Sequence, residues 1–543
     1  MKRLHTLLTA AIVAGSLAAQ TLNVQVGQVT YQFPATQAGS MPFSDGTTLT
    51  VMGKAFPLAE VTSMFVDETA VTDNQVSIVY NGSSASVSVA GNVAQYVTPT
   101  VSGAHVTIAQ SNTEAVNGDE ITYQLSGTTT NGSLTLSGSY KCTVALAGVT
   151  LTNPSGAAIE ITNSKRIQLS AKKNTTNTLA DGSNGSQKAC IYSKGQLQLQ
   201  GNGTLNVVGN AKHAIKSASY IAIKNLTLNI TSAVGDGLNC EEYIRMESGT
   251  VSISGVSDDG IQCDLGGTSS TGETTNHEDE DSGNIYISGG SITVNCQYKG
   301  IKAQGDLIVT DGNISVTSNG TASSGGPWGS SSSSSPEAIE AKGAITISGG
   351  QVYAKSADDA INSGGNMTIS GGYVYAYATN NDGLDANGNC YIQGGFVYAI
   401  GAKSPEMAID ANTEQGKKLY ITGGTIIAVG NLESGASISG GTCKYTSSWN
   451  GESWYALYNG GTLVAAFQTP QKSSSGGGRP SPGGGGGSST QKLVVYTSST
   501  PTLKSSISVS GGTTYFGGAT NIGGTVTGGS SVSLSNYSSG GGW

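Results

Sequence analysis

The sequence predicts an all-β chain: a right-handed, three-sheet parallel β-helix (a solenoid) with a small N-terminal β domain or cap. Three observations predict it. From Gly235 to Gly430 one short phrase recurs, as DGLNC at 236, DGIQC at 259, KGIKA at 299, EAIEA at 337, DAINS at 359, DGLDA at 382 and AIDA at 408. Anchored on its aliphatic residue, the uninterrupted steps are 23 residues (Leu238 to Ile261), 22 (Ile339 to Ile361), 23 (Ile361 to Leu384) and 25 (Leu384 to Ile409), a period that means stacked repeats. With 79 glycines in 543 residues and only 11% charged residues, the composition suits short strands joined by tight turns, and no segment keeps a helical period.

Residues 1–20 read as an export signal, with Lys2 and Arg3 before an apolar run from Leu4 to Val13 and small residues around Ala18. A secreted, extracellular or cell-surface protein is expected, without a membrane span. Residues 21–115 lack the phrase and alternate in short strands, which predicts an N-terminal β accessory domain or cap. The repeats occupy 120–445, and Ile159, Ile191, Ile215 and Leu238 carry the anchor backwards. Within a coil the phrase is one strand, AITIS at 344 or NMTIS at 366 a second, and QVYAK at 351 or YVYAY at 373 a third. Glycine pairs at 289, 349, 371, 394 and 423 provide a positive-φ corner between the second and third. Period-two alternation turns Ile345, Ile347, Val352 and Val374 inward and Thr346, Tyr353 and Tyr375 outward.

Two insertions, from Ser269 and from Asn319, leave the coils as loops. Residues 446–543 form a C-terminal β cap in which a Gly/Ser/Pro-rich stretch, 473–490, is a tether or a loop between LVAAF at 463 and KLVVY at 492, two segments expected to pair. The seven cysteines are an odd number, and Cys240 and Cys263 at one repeat position are read either as a bridge or as stacked free thiols.

The net charge is −9, more negative still without Lys2 and Arg3, which argues against nucleic acid and against anionic partners bound without help. A cation is that help. Aligned coils place acidic residues in a column: Asp236, Asp258, Asp259, Asp358, Asp359 and Asp382, with Asp385 and Asp410 beside it. Like charges one strand apart repel, and this density of hard oxygen donors suits Ca²⁺. The alternative is turn capping by Asx-type hydrogen bonds. A second column is aromatic: Tyr353, Tyr375 and Tyr398, flanked by Tyr373, Tyr377 and Phe396, a platform for the C–H faces of sugars or else a covered cross-strand ladder. Lys299 and Lys302 interrupt the acids. Arg245 stands on the outward face of an earlier second strand, and beside calcium a lysine or arginine would serve as the base of a polysaccharide lyase; the plainer reading is that Lys299 and Lys302 neutralise their neighbours. No catalytic residue is assigned.

The phrases DDGI, KGIKA, ISGGxVYA, DDAINS and NDGLDANG at this period, over roughly 130–440, resemble a bacterial carbohydrate-binding domain-containing family, pectate-lyase-like in fold, whose clostridial founder binds cellulose and polygalacturonate. The resemblance implies a right-handed parallel β-helix, bound calcium at Asp258, Asp259, Asp358, Asp359, Asp382 and Asp385, and polysaccharide binding without hydrolysis. The expected function is therefore a secreted, calcium-stabilised protein, expected as a monomer, that binds extracellular polysaccharide, acidic glycans such as polygalacturonate and also cellulose. A calcium-dependent pectate lyase and a surface adhesin or structural solenoid are the alternatives.

Overall fold

A computed structural model describes residues 20–265, 283–322, 335–472 and 491–538. The expected export signal up to residue 19, the bulk of both insertions and the 473–490 stretch lie outside the described residues. Apart from short helical turns such as Ala35–Ala38, the elements are strands.

Strand pairing corrects the expected architecture. Instead of three separate sheets in an open right-handed β-helix, the strands form one sheet of 29 and one of 14, with smaller sheets of three and six. Cys142–Asn153 pairs parallel with Ile167–Ala171 along its first half and with Thr176–Asp181 along its second. The two files of strands that start there are joined again further on, so the hydrogen bonding closes as a ten-strand parallel barrel. The reason is local. The glycine corners were read as breaks between sheets, but Gly148, at φ 82°, bends a strand that continues through it, and Gly290, also at 82°, does the same within Asn284–Cys296.

The chain divides into two compact units. The first contains the described residues up to Glu242 and Gly249–Val251. It opens with antiparallel Thr21–Val26, Val29–Pro34 and Ser63–Asp67. Gln75–Asn81 then pairs parallel with Ile121–Thr129, and Ala104–Gln110 with Gly132–Ser137, so strands of the N-terminal segment belong to the two large sheets. Ile159, Ile191, Ile215 and Leu238 stand in register in the 14-stranded sheet and are fully buried.

In the second unit Ile261, Ile301, Ile339, Ile361, Leu384 and Ile409 stand in register with one another, none more than 3% exposed. Each such burial removes an aliphatic side chain from water, worth about 1.5–3 kcal/mol. The second glycine of the later corners holds a left-handed backbone: Gly350, Gly372 and Gly395 at φ 74° and Gly424 at 85°. Residues Trp454–Asn459, Thr462–Gln468, Pro501–Ser510, Thr513–Tyr515, Thr520–Ile522 and Thr525–Val532 form the six-stranded antiparallel sheet.

One further expectation changes. LVAAF and KLVVY do not pair: Thr462–Gln468 pairs with Trp454–Asn459, whereas the buried Leu493–Thr497 lies antiparallel to Thr425–Val429 and Thr442–Thr446. A fully buried strand takes a place between two neighbours in a large sheet rather than an edge of a small one. All seven cysteines are buried thiols, packed as small hydrophobes.

Candidate functional site

Two files of polar side chains flank the anchors of the second unit. Two residues before each anchor come Asp259, Lys299, Glu337, Asp359 and Asp382; one residue after come Gln262, Lys302, Glu340, Asn362, Asp385 and Asp410. Carboxylates of the first file staple successive coils. Asp259 Oδ1 accepts from Lys299 N at 3.1 Å, Asp359 Oδ1 from Asp382 N at 2.9 Å, and Asp382 Oδ1 from Met407 N. One oxygen of each is thus spent on the backbone, as turn capping anticipates.

The other oxygen distinguishes the positions. Asp259 Oδ2 meets the ammonium of Lys302 at 3.3 Å, and Asp359 Oδ2 accepts from Asn362 Nδ2 at 3.0 Å. Lys299, 5% exposed, reaches both Glu337 and, at 2.9 Å, Glu340. Burial alone would push the Lys299 ammonium down, but Glu337 and Glu340 outweigh it and hold its pKa above the ordinary lysine value. Lys302 is likewise desolvated and likewise held up, chiefly by Asp259. Glu340, desolvated but paired with Lys342 and Lys299, stays below the usual carboxylate range.

At Asp382 the pattern changes sign. Where Asp359 has Asn362 three residues on, Asp382 has Asp385, and the next coil adds Asp410. Carboxylate oxygens of Asp382, Asp385 and Asp410 lie within 4.8 Å of one another. Burial, with Asp385, Glu406 and Glu433 as charged neighbours, raises Asp382 to about 7. Burial and Asp385 raise Asp359, and burial and Glu433 raise Asp410 well above the carboxylate range. Asp385 rises to about 6, mainly by desolvation, although Asp359 donates a hydrogen bond to it. The donors are all hard oxygens, and the charged groups acting on Asp382 are themselves acids. This chemistry fits a divalent cation such as Ca²⁺.

The remaining residues expected to bind metal lie elsewhere. Asp236, in the first unit and 1% exposed, donates its N–H to His213 Nδ1 at 3.1 Å and accepts from Asn239 at 2.7 Å. Asp258 is exposed. Asp358 is half-buried and accepts from Asn381 Nδ2 at 2.7 Å. Sequence reasoning missed Glu433, 6% exposed, which completes the acidic end. Its signal was present: Leu432 follows Ile409 by another 23 residues and pairs with it, but carries no repeat phrase.

The aromatic column is largely covered. Tyr375, Phe396 and Tyr398 are 6%, 5% and 0% exposed, packed in one cluster with Tyr455, Phe467 and Phe516 of the C-terminal segment. Tyr375 stacks on Phe516 with centroids 5.3 Å apart, and the Tyr398 hydroxyl donates to Gln468 O at 2.8 Å. Outward-facing aromatic residues on a sheet are covered here by a second sheet. Tyr353, Tyr373 and Tyr377 at the margin stay half-buried, Tyr353 stacked parallel on Tyr375 at 5.0 Å.

The family model of carbohydrate-binding domain-containing proteins matches residues 102–383, which is more than half of the chain. The chain belongs to this family. Carbohydrate, and polysaccharide in general, is thereby its partner class. The carbohydrate-binding domain takes in Lys299, Lys302, Glu340 and Asp382, while Asp385, Asp410 and Glu433 follow directly after it. No curated protein matches the chain. Among solved structures it is similar to a polysaccharide lyase-like protein from C. thermocellum, a gadolinium derivative, at 19% identity and a TM-score of 0.34, over 51% of this chain and 94% of that one. Among the described residues of this carbohydrate-binding family member, no helix is long and apolar enough to cross a membrane.

Proposed function

We propose that the protein is an exported, calcium-stabilised polysaccharide-binding protein that holds acidic glycans such as polygalacturonate without cleaving them. The observation that carries this reading is the change at Asp382, where the partner that is lysine for Asp259 and asparagine for Asp359 becomes two more carboxylates. Asp382, Asp385 and Asp410 would hold the ion. Bound calcium supplies a positive charge that cancels their repulsion and can share a uronate carboxylate.

β-Elimination needs a neutral base beside the sugar's C5 proton. Lys299 and Lys302 are poor bases, since each is ion-paired and held above the ordinary lysine pKa. Their state supports binding without cleavage. Affinity electrophoresis through gels containing polygalacturonate, cellulose derivatives or other glycans, run with calcium and with EDTA, tests the reading. Retardation by polygalacturonate that EDTA abolishes is expected, with no rise in ultraviolet absorbance from unsaturated product. Steady product formation, or migration unaffected by every glycan, would sink it.

A further inference from the structure

We infer that a cleft beside the covered aromatic column is a second carbohydrate site, one that admits the end of a neutral glycan chain rather than its interior. The inference rests on the polysaccharide-binding reading and adds where a neutral sugar enters and how much of it.

The cleft has a volume of about 370 Å³ and is lined by Gly372, Tyr373, Gly395, Phe396, Thr425, Val464 and Ile522. Its floor is formed by three successive coils, at Gly372, Gly395 and Thr425. Gly372 O and Gly395 O already accept from Phe396 N and Thr425 N, both at 2.9 Å. Its far wall is the C-terminal sheet, through Val464 on Thr462–Gln468 and Ile522 on Thr520–Ile522. Tyr373 is fixed within it: Tyr515 stacks on the ring at 4.7 Å, and Phe396 lies tilted at 6.2 Å. An aromatic ring held this way loses little freedom when a ligand arrives.

Three features define the occupant. Every lining residue is uncharged, so a uronate would leave its charge unpaired in an apolar setting, whereas a neutral sugar presents C–H faces and hydroxyls. Tyr373 and Thr425 bring hydroxyl groups to a lining that mixes polar and apolar surface, the usual balance in a small-molecule site. Size limits length: 370 Å³ is near the bottom of the roughly 300–1,000 Å³ range of ligand pockets, room for one ring and part of the next. A chain running on along the column would need the faces of Tyr375 and Tyr398, and these are buried beneath Phe516 and Phe467. The column is therefore closed to a chain running along it, which favours a terminus.

Calorimetric titration of the full-length protein with gluco-, xylo- and manno-oligosaccharides of one to six residues tests this. Affinity for the preferred series is expected to level off at two residues. Val464→Trp, which fills the cleft from the C-terminal sheet, should weaken it by at least about tenfold, and Thr425→Val, which keeps the volume and removes a hydroxyl, by about threefold, with unchanged binding to polygalacturonate in calcium. Affinity that climbs with every added residue to six would overturn the inference, as would wild-type binding by a Val464→Trp protein of unchanged melting temperature. If Val464→Trp does not fold, the length series and Thr425→Val decide. Binding of polygalacturonate but of none of the three series overturns the cleft alone; retention by no glycan at all overturns the polysaccharide-binding reading itself.

Discussion

Lys299 shows what a single side chain does in the repeat. It is buried between Glu337 and Glu340, each 3% exposed. Removing a partner from a buried ion pair strands the opposite charge, which costs about 3–5 kcal/mol. Lys299→Met is therefore expected to lower stability by that amount in urea unfolding, and adding Glu337→Gln and Glu340→Gln to restore most of it. A loss below about 1 kcal/mol would mean that water reaches the pair. Asp385 presents the opposite case, because its neighbours repel it. Asp385→Asn keeps an oxygen for Asn362 Nδ2, now 2.8 Å away, and deletes a charge. In EDTA the variant should melt higher than wild type, and in calcium lower, since a ligand has gone. The same sign under both conditions would argue against an ion at this position.

Elements of the second unit depend on two devices, the glycine corner and the carboxylate file. A Cβ on Gly395 would stand 2.7 Å from Gly371 O, and the residue holds φ 74°. Gly395→Ala should therefore cost at least roughly 1–3 kcal/mol, read as a lower melting temperature. The file responds to pH. Burial and neighbouring acids raise Asp382 to about 7, and Asp359 and Asp410 are raised too. The folded chain consequently holds protons that the unfolded chain, with carboxylates near pKa 3.9, has released. Stability from this source is full below the unfolded value and is lost as pH rises through the folded ones. In EDTA the melting temperature should fall between about pH 5 and pH 8, and calcium should flatten that slope by replacing the protons. Thermal melts across this range, with and without the ion, check it. Much of this was legible in the repeat, because residues one period apart share a face: the buried anchors and Asp382, Asp385 and Asp410 follow from counting. What counting could not supply was the hydrogen bonding at corners. Gly148 and Gly290 leave no mark in the sequence that separates a bend within a strand from a break between sheets, and barrel closure was missed there.

Across the whole molecule the repeat is informative only about itself. The aromatic column faces outward, yet the strands that cover it, within 454–468 and 493–532, have no repeat and no phrase, and nothing in their alternation says which surface they meet. The structure gives these strands a definite task. Tyr375, Phe396, Tyr398 and Ile427 are buried with Tyr455, Phe467 and Phe516, and Leu493–Thr497 pairs along Thr425–Val429 in an antiparallel sense. Without them, a contiguous aromatic patch and an unpaired strand edge would face water together, the combination that drives association between chains. A chain stopped after residue 440 is therefore expected to elute from a sizing column as aggregate, or to bind a hydrophobic dye strongly when kept dilute. The full-length chain should do neither. Four charged substitutions on the uncovered face, at Tyr375, Phe396, Tyr398 and Ile427, should return the shortened chain to solution, because they remove the patch without rebuilding the cap. A shortened chain that stays monomeric, dye-free and as heat-stable as the full-length protein would show that the coils are self-sufficient and that the C-terminal sheet has been retained for the cleft it helps to form.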